Sequence, residues 1–307
     1  MTGPEHGAWP SVSAIVATRD RPRLLERAVA SILGQSYPGE LECVVVFDQS
    51  TVTDIPLSVP PGRRLRTMAN IGAPGLAGAR NAGIAASQAA LIAFCDDDDA
   101  WDPSKLRLQA ELMAASGAEF VASGVRIHHG NQTVVRIPPA EVDLAQLVRD
   151  RVTALHPSTF LVAREALADI GPVDEQIPGS YGEDYDWLLR AARRRPIAAV
   201  VRPLVDVYWH PQSFFAERWS SIADALEYLL DKHPELKADR HGMARIEGQI
   251  AFARAALAHR SAACRASFRA LRGNPLERRA YLALAVASGA VRPASIVRLA
   301  NRRGRGI

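Results

Sequence analysis

The chain has 307 residues, which suits one large α/β domain with an appendage or two modest domains, and its 48% hydrophobic content is typical of a globular protein. The net charge of +4 would suggest a nucleic-acid-binding protein. Seven arginines and no acid follow Glu277, however, so the remainder of the chain carries −3. The basic charge therefore belongs to the tail, which argues against a nucleic-acid partner.

No stretch of the sequence has the features of a signal peptide or a membrane span. Residues 1–10 lack a basic segment followed by an apolar core, and the weakly apolar run 280–291 is too short to cross a bilayer. Cys43, Cys95 and Cys264 are far apart and odd in number, so we expect free thiols in a reducing compartment and no zinc site. These features predict a cytoplasmic protein.

Strands and helices are predicted to alternate over the first hundred residues. The predicted strands cover residues 13–18, 41–47, 65–68 and 89–95, and the predicted helices cover residues 22–32 and 76–87. This rhythm favours a parallel sheet with covering helices. Ligands of such sheets bind outside the carboxyl ends of the strands, and Thr18, Asp48 and Asp96 fall at those ends.

Four adjacent carboxylates, residues 96–99, follow the fourth predicted strand, and Trp101 and Pro103 then turn the chain into a helix. Four like charges repel one another, and a divalent cation would relieve that repulsion. Hard oxygen ligands suit Mg²⁺ or Mn²⁺, which share their coordination with substrate phosphates. A solvated acidic turn that caps the next helix is the alternative.

The second half of the chain mixes strands and helices and then becomes helical. Strands are predicted at 119–127, 132–137, 156–162, 200–201 and 205–208, with a hairpin turn at 128–131; helices are predicted at 103–116, 143–151 and 165–170. From Phe214 onward only helical periodicity is present. We therefore predict a first domain over residues 1–212 and a helical region over residues 213–307.

Three acids, Glu183, Asp184 and Asp186, occupy the start of a predicted helix after a loop rich in glycine and proline. Acids at a helix N-terminus complement the helix dipole, which is one interpretation. An acid at this place could instead act as a general base if it faces the carboxyl edge of the sheet.

Taken together, these stretches resemble the family 2 glycosyltransferases over about residues 11–212. The matching segments are residues 12–21, Asn70-Ile71-Gly72 with residues 79–84, residues 94–109, residues 170–175 and Glu183-Asp184. Each segment alone is weak evidence for the family, but five such segments in the family's order are specific to it. The resemblance implies an α/β GT-A fold, a Rossmann-like mixed sheet, here followed by a C-terminal helical region.

The resemblance also implies a reaction, in which a sugar moves with inversion from a nucleoside-diphosphate sugar, a UDP- or dTDP-sugar, to an acceptor hydroxyl of a glycan, a lipid-linked glycan or a small molecule. It implies Mg²⁺ or Mn²⁺ as the cofactor. The donor-binding residues that it implies are Thr18, Asp20, Asp48, Arg80, Asp96 and Asp97, and the implied metal ligands are Asp98, Asp96 and His210. Asp184 matches the catalytic base, and Glu183 supports it.

Three site assignments have open alternatives at this point. Arg80 would contact the donor diphosphate or hold Asp96, and His210 would lie beside the metal or simply pack at a strand end. The family usually has two acids after its second strand, whereas this chain has Phe47 and Asp48. Asp48 could take over the contact with the donor's base, or Phe47 could pack against that base.

Two rival functions make different demands on the sequence. A nucleotidyltransferase of related fold would want a glycine-rich, basic loop after the first strand, and residues 17–22 contain no glycine. A non-catalytic basic binding protein would interleave basic and aromatic residues, and no aromatic follows Tyr281.

The arginine-rich tail, residues 278–307, suggests two further partners. Basic residues near an anionic bilayer each contribute about 1 kcal/mol of attraction, so the tail could hold the protein at the inner face of the membrane. Alternatively, the arginines pair with the slightly acidic remainder of the same chain or with a second subunit of a homodimer.

Overall fold

The computed structural model describes residues 9–209 and 218–302, and within them a ten-stranded mixed sheet is packed between helices. The strands are β1 (Val12–Thr18), β2 (Leu41–Phe47), β3 (Arg63–Ala69), β4 (Leu91–Asp96), β5 (Ala100–Trp101), β6 (Phe120–His129), β7 (Gln132–Arg136), β8 (Glu141–Val142), β9 (Leu161–Ala163) and β10 (Ile197–Tyr208). The helices are α1 (Pro22–Leu33), α2 (Leu76–Ala86), α3 (Lys105–Ser116), α4 (Leu144–Arg149), α5 (Leu167–Ile170), α6 (Glu183–Arg194), α7 (Trp219–Lys232), α8 (Arg240–Ala256), α9 (Arg260–Gly273), α10 (Arg278–Ala287) and α11 (Pro293–Arg302).

The strand order is β3-β2-β1-β4-β9-β6-β10-β5, with β7 beside β6 and β8 beside β10. The first four strands are parallel, and β9 lies antiparallel between β4 and β6. Thr18 pairs with Phe47, and Ala17 pairs with Asp96. This register brings the carboxyl ends of β1, β2 and β4 to one edge, as the sequence predicted, so Thr18, Asp48 and Asp96 lie close together.

Side chains of the central strands alternate between two cores, because successive residues of a strand point to opposite faces of a sheet. Ala14 and Val16 of β1 belong to the core that α1 and α3 cover, whereas Ile15 belongs to the core that α2 and α6 cover. The second core continues without a break into the C-terminal helices through Ile222 and Ile246. The predicted mixed α/β architecture with a C-terminal helical region is thus confirmed.

The predicted domain boundary at residue 212 lies outside the described residues and stays a prediction. None of the helices in residues 9–209 and 218–302 combines the length and the hydropathy that crossing a membrane requires. Cys43, Cys95 and Cys264 are free, and the first two are buried, as predicted.

Three local predictions were wrong. Residues 156–162 do not form one strand: Pro157–Thr159 is a 3₁₀ turn, because the His156 side chain accepts a hydrogen bond from the Ser158 backbone nitrogen, and the strand begins only at Leu161. His128 and His129 end strand β6, and the hairpin turn is formed by residues 130–131. The strands predicted at 200–201 and 205–208 are one strand, β10, whose register shifts around Pro203 because proline has no backbone N–H to donate.

A buried carboxylate joins the sheet domain to the C-terminal helices. Asp186 on α6 is 0% exposed, and its oxygens lie 2.7 Å from Arg190 Nη2, 2.7 Å from Lys232 Nζ and 2.8 Å from His233 Nε2. Burial alone would raise the pKa of Asp186, but the hydrogen bond from His233 and the charge of Arg190 lower it below its ordinary value.

We expect Asp186→Asn to lower the free energy of unfolding by about 3 kcal/mol, because it leaves buried cations without their partner. A carboxyl whose pKa is lowered on folding stabilises the protein fully above its unfolded pKa of about 4, and this stabilisation is lost as the pH falls further. Urea unfolding at about pH 7 and about pH 3 should therefore show a difference from wild type that shrinks in acid. The exposed Asp231→Asn on α7 is the control and should change little at either pH. A difference for Asp186→Asn that is independent of pH would contradict this account.

Candidate active site

A cleft of about 1370 Å³ opens at the carboxyl edge of β1, β2 and β4. One end is lined by residues of this edge, among them Thr18, Asp48 and residues 96–99. Residues of the C-terminal helices, Arg245 and Arg279, also line it. The cleft therefore joins the acidic strand end to the helical region, and both can contact one bound molecule.

The four carboxylates of residues 96–99, called the carboxylates after β4 although Asp96 is the last residue of that strand, face different partners. Asp96 lies 2.7 Å from Arg80 Nη2. Asp97 accepts a hydrogen bond of 2.7 Å from Thr18 Oγ1, and Arg21 Nη1 lies 3.3 Å from Asp97 and 3.2 Å from Asp98. Asp99 is buried and accepts a hydrogen bond of 2.5 Å from Ser158 Oγ. These cations and hydroxyls offset only part of the negative charge.

The remaining repulsion appears in the pKa values of these carboxyls. Burial, together with the charges of Asp96 and Asp97, raises the pKa of Asp98 to about 6. Burial and the neighbouring carboxylates raise the pKa of Asp99 well above its ordinary value. A cation that binds among these oxygens would favour their ionised forms, so the site is electrostatically prepared for one.

A histidine not anticipated by the sequence stands among the acids. Asp96, Asp99 and His156 each have a ligand atom within 4.8 Å of the others. His156 Nδ1 lies 3.4 Å from Asp99 Oδ2, and His156 Nε2 lies 3.9 Å from Asp96 Oδ2. Burial lowers the pKa of His156, so its neutral, metal-binding form is favoured. Carboxylate oxygens with one imidazole are a suitable donor set for Mn²⁺ or Mg²⁺.

A buried arginine ties the acidic strand end to helix α6. Arg80 on α2 is 3% exposed; its Nη2 contacts Asp96, and its Nη1 lies 2.5 Å from Glu183 Oε1. Of the two alternatives for Arg80, the geometry therefore matches the one in which it holds Asp96. Burial raises the pKa of Glu183 to about 7, although Arg80 opposes that shift.

Asp184 lies next along α6 and, unlike Glu183, lines the cleft. Its two carboxylate oxygens are 2.6 and 2.7 Å from Arg151 Nη2. Burial alone would raise the pKa of Asp184, but the guanidinium of Arg151 holds it below its ordinary value. Asp184 is therefore ionised at neutral pH and can accept a proton.

Asp48 rather than Phe47 reaches the cleft from the end of β2. Phe47 is buried in the core beside α1, whereas Asp48 lines the cleft. The carboxylate of Asp48 accepts hydrogen bonds of 2.9 Å from Asn70 Nδ2 and of 3.0 and 3.1 Å from the Gly75 backbone nitrogen. It thereby holds the loop between β3 and α2 at the edge of the cleft.

The family assignment follows from comparison with known proteins. Residues 13–171, just over half of the chain, match the model of the family described as glycosyl transferase family 2. The chain belongs to this family. This family 2 glycosyltransferase spans about half the length of the curated relatives that it matches.

One relative and two solved structures illustrate the likeness. The chain is 26% identical over 140 residues to the Escherichia coli UDP-Glc:alpha-D-GlcNAc-diphosphoundecaprenol beta-1,3-glucosyltransferase WfgD, covering 45% of this chain and 55% of that protein. TarS 1-349 of S. aureus, in complex with UDP-GlcNAc, superposes with a TM-score of 0.58 at 16% identity, over 96% of this chain and 92% of that one. The mannosyltransferase PcManGT of Pyrobaculum calidifontis, in complex with GDP-Man and Mn²⁺, gives 0.57 at 20% identity, over 94% and 82%. At these identities the two structures show a shared fold.

Of the predicted site residues of this family 2 glycosyltransferase, one lies away from the cleft lining and one cannot be placed. Asp20 is exposed at a turn with φ of 54°, and it does not line the cleft. His210 lies outside the described residues, so its role as a metal ligand stays a prediction. The other predicted residues, Thr18, Asp48, Arg80, Asp96, Asp97, Asp98, Glu183 and Asp184, lie in or directly beside the cleft.

Sequence reasoning missed Arg21, Arg151, His156 and Ser158. Arg21 lay in a predicted turn and His156 in a predicted strand. Arg21 contacts Asp97 and His156 contacts Asp99, and both contacts join segments far apart in the chain. Arg151 ended a predicted helix and gave no sign of its pairing with Asp184. The polar run of residues 156–159 next to an apolar strand was the one local signal that could have been used.

Proposed function

We propose that this enzyme transfers a sugar with inversion from a nucleoside-diphosphate sugar, a UDP- or dTDP-sugar, to a hydroxyl of a glycan, lipid-linked or small-molecule acceptor. The observation that carries this proposal is the cleft in which the four carboxylates after β4 and the ionised Asp184 face one space. An acidic strand end suits a cation-bound diphosphate, and a separate carboxylate suits proton removal from the acceptor. The complexes of TarS with UDP-GlcNAc and of PcManGT with GDP-Man support a donor of this class.

The residues fit a divalent cation, Mg²⁺ or Mn²⁺. Asp96 and Asp98 have about a quarter of their side chains exposed and would hold it at the cleft, with Asp99 and His156 beside them. Burial, followed by the charges of Asp96 and Asp97, raises the pKa of Asp98 despite the nearby Arg21, and a bound cation would favour its ionised form. When bound, the cation supplies neutralisation of the charge that develops on the departing diphosphate. The Mn²⁺ complex of PcManGT supports this choice.

Asp184 is proposed as the general base. One of its carboxylate oxygens takes the proton of the acceptor hydroxyl, while the hydroxyl oxygen bonds to the anomeric carbon of the donor. The bond from that carbon to the diphosphate oxygen breaks, and the nucleoside diphosphate leaves with the electron pair. A single displacement of this kind inverts the configuration at the anomeric carbon. Arg151 holds Asp184 in its ionised form before the acceptor arrives.

Glu183 and Arg80 are proposed as positioning residues. The buried Arg80 links the first turn of α6 to the end of β4, because it forms ion pairs with both Glu183 and Asp96. It fixes the base-bearing helix relative to the donor-binding carboxylates, and small displacements between reacting groups cost much of the rate. Thr18 and Arg21 orient Asp97 in the same way.

A turnover assay tests the proposal against its nearest rival. The purified chain is incubated with a panel of nucleoside-diphosphate sugars and a glycan acceptor in Mn²⁺ and in EDTA, and the nucleoside diphosphate released by transfer to the acceptor or to water is measured. We expect release from one donor, dependent on Mn²⁺. Nucleoside triphosphates are tested in parallel for pyrophosphate release. Pyrophosphate release without consumption of any nucleotide sugar would favour the nucleotidyltransferase and overturn the proposal.

Location and assembly remain proposals of the same kind. We propose a cytoplasmic enzyme whose C-terminal arginines contact the anionic inner face of a membrane, or else pair within the chain or across a homodimer. Arg279 does contact Glu277 of its own chain at 3.1 Å, which supports pairing for one of the seven. The name of WfgD, which includes a diphosphoundecaprenol acceptor, supports a membrane-bound acceptor. We also propose that the chain is divided into a glycosyltransferase domain, residues 1–212, and a helical region, residues 213–307.

A further inference from the structure

The cleft is electrically polarised along its length. Its strand end is lined by five acids and two arginines: Asp48, residues 96–99, Arg19 and Arg21. The rest of the lining is mainly basic, because its five arginines outnumber its three acids: Arg136, Arg151, Arg218, Arg245 and Arg279 against Asp150, Glu175 and Asp184. The donor and its cation are proposed at the acidic end, so the basic end is left for the other substrate.

Two glycines of α8 allow three segments to bring their arginines together. A Cβ on Gly242 would stand 2.1 Å from the Val148 carbonyl oxygen of α4, and a Cβ on Gly248 would stand 2.9 Å from Glu277 at the start of α10. Because both positions lack side chains, α4 and α10 approach α8 closely. The arginines that follow these contacts, Arg151 after α4, Arg245 on α8 and Arg279 on α10, consequently meet at one end of the cleft; these three are called the arginine cluster below.

Within the arginine cluster, Arg151 pairs with Asp184 and Arg279 with Glu277, whereas Arg245 forms no ion pair among the described residues. Arg245 Nη2 lies 3.2 Å from the hydroxyl oxygen of Tyr185, and both Arg245 and Arg151 lie beside the ring of this tyrosine. Burial lowers the pKa of Arg245, and the charges of Arg151 and Arg279 act in the same direction, whereas Tyr185 and Asp150 oppose the shift. Within the described part of the chain, the buried Nε–H groups of Arg245 and Arg279 have no hydrogen-bond acceptor. A buried N–H group without an acceptor is costly, and a phosphate oxygen that enters the cleft could accept from it.

We propose that the arginine cluster binds a phosphate or diphosphate group carried by the acceptor, so that the acceptor hydroxyl is presented to Asp184. The planar donors of arginine match phosphate oxygens in pairs. Arg151 contacts Asp184 directly, so a phosphate on the cluster lies close to the base. This inference deepens the proposed function and rests on it for the identity of the bound molecule as the acceptor.

The binding test uses the full chain in EDTA, where the acidic end repels anions. Inorganic pyrophosphate is titrated by calorimetry into wild type, Arg245→Gln, Arg279→Gln and Arg278→Gln. Arg278 neighbours Arg279 on α10 but is exposed and does not line the cleft, so it is the matched control. We expect wild type and Arg278→Gln to bind equally, and each cluster variant to bind about 10-fold or more weakly, the effect of one charged hydrogen-bonding group.

Equal affinity in all four proteins, or no binding by wild type, would overturn the proposal. Titration with UDP and dTDP in Mn²⁺ tests whether the arginine cluster belongs to the donor site instead. If Arg245→Gln and Arg279→Gln lose as much affinity for these nucleotides as for pyrophosphate, the arginines lie at the donor site and the proposal is also overturned. The pyrophosphate titration does not depend on sugar transfer, so a phosphate site on a chain that consumes no nucleotide sugar would overturn the proposed function alone.

A matched pair of probes distinguishes a lipid-linked acceptor from a water-soluble phosphorylated acceptor as the source of the phosphate. Ethyl phosphate and dodecyl phosphate carry the same head group, and both are expected to lose affinity in Arg245→Gln and Arg279→Gln. If wild type binds dodecyl phosphate more tightly than ethyl phosphate, the acceptor is lipid-linked. If it binds the two with equal affinity, the acceptor is a water-soluble phosphorylated molecule. Binding of dodecyl phosphate that is unchanged by both substitutions would show attraction of the alkyl chain alone and would contradict the proposal.

Discussion

Asp184→Asn is expected to lower turnover about 10²–10⁴-fold, the usual contribution of a positioned general base. The amide has nearly the same shape as the carboxylate but cannot accept the acceptor's proton. Affinity for the nucleoside diphosphate should stay unchanged, because Asp184 contacts Arg151 and not the carboxylates after β4. Steady-state turnover, together with calorimetric titration of UDP or dTDP in Mn²⁺, measures both quantities on the same protein.

Asp150→Asn is the matched control for this substitution. Asp150 also lines the cleft near Arg151, but it precedes helix α6 in the chain and has no proposed chemical role. Its turnover should remain within a few-fold of wild type. Normal turnover by Asp184→Asn would remove this residue as the base, and Glu183, whose pKa is raised to about 7, would become the next candidate.

Asp98→Asn is expected to abolish metal-dependent binding of the nucleoside diphosphate. The substitution removes a carboxylate that faces the cleft, and Mg²⁺ and Mn²⁺ prefer charged oxygen ligands. It leaves the buried pairs of Arg80 with Asp96 and Glu183 in place, so the fold should be retained. Calorimetric titration of UDP or dTDP with and without Mn²⁺ gives the affinity directly.

Asp99→Asn serves as the comparison, because Asp99 is the buried neighbour of Asp98 and accepts its hydrogen bond from Ser158. We expect it to weaken metal-dependent binding less than Asp98→Asn does. The reverse order would move the cation to the inner group of Asp96, Asp99 and His156 and would contradict the assignment of Asp98 as a ligand.

Periodicity and strand-end chemistry were enough to predict the parallel part of the fold from the sequence. The strands β1, β2 and β4 are apolar runs that end in polar residues, and their shared edge follows from parallel pairing alone. The side chains that the edge gathers, such as Thr18 and Asp96, could be named for the same reason. The acids at the start of α6 were visible in the sequence with a general base as one interpretation, and the family resemblance then singled out Glu183 and Asp184.

The contacts that shift the pKa values of the site residues could not be predicted, because they join segments that are distant in the sequence and that no sequence pattern connects. The pairing of Asp184 with Arg151 spans 33 residues, and that of Arg80 with Glu183 spans 103. The strand prediction at residues 156–162 failed for a local reason, since the His156 side chain stabilises a turn that apolar content alone does not reveal. The sequence of the C-terminal helices shows only ordinary amphipathic periodicity. The structure shows that they line the cleft, and that close packing at Gly242 and Gly248 brings them there.

The central claim is that a divalent cation and a nucleoside diphosphate bind together at the carboxylates after β4. The most direct measurement is a calorimetric titration of the wild-type chain with UDP and with dTDP, in Mn²⁺ and again in EDTA. The account predicts that at least one nucleotide binds in Mn²⁺ and that its affinity falls by about 10-fold or more in EDTA, because the unneutralised carboxylates then repel the diphosphate. Equal affinity in the two buffers, or no binding of either nucleotide in Mn²⁺, would contradict it.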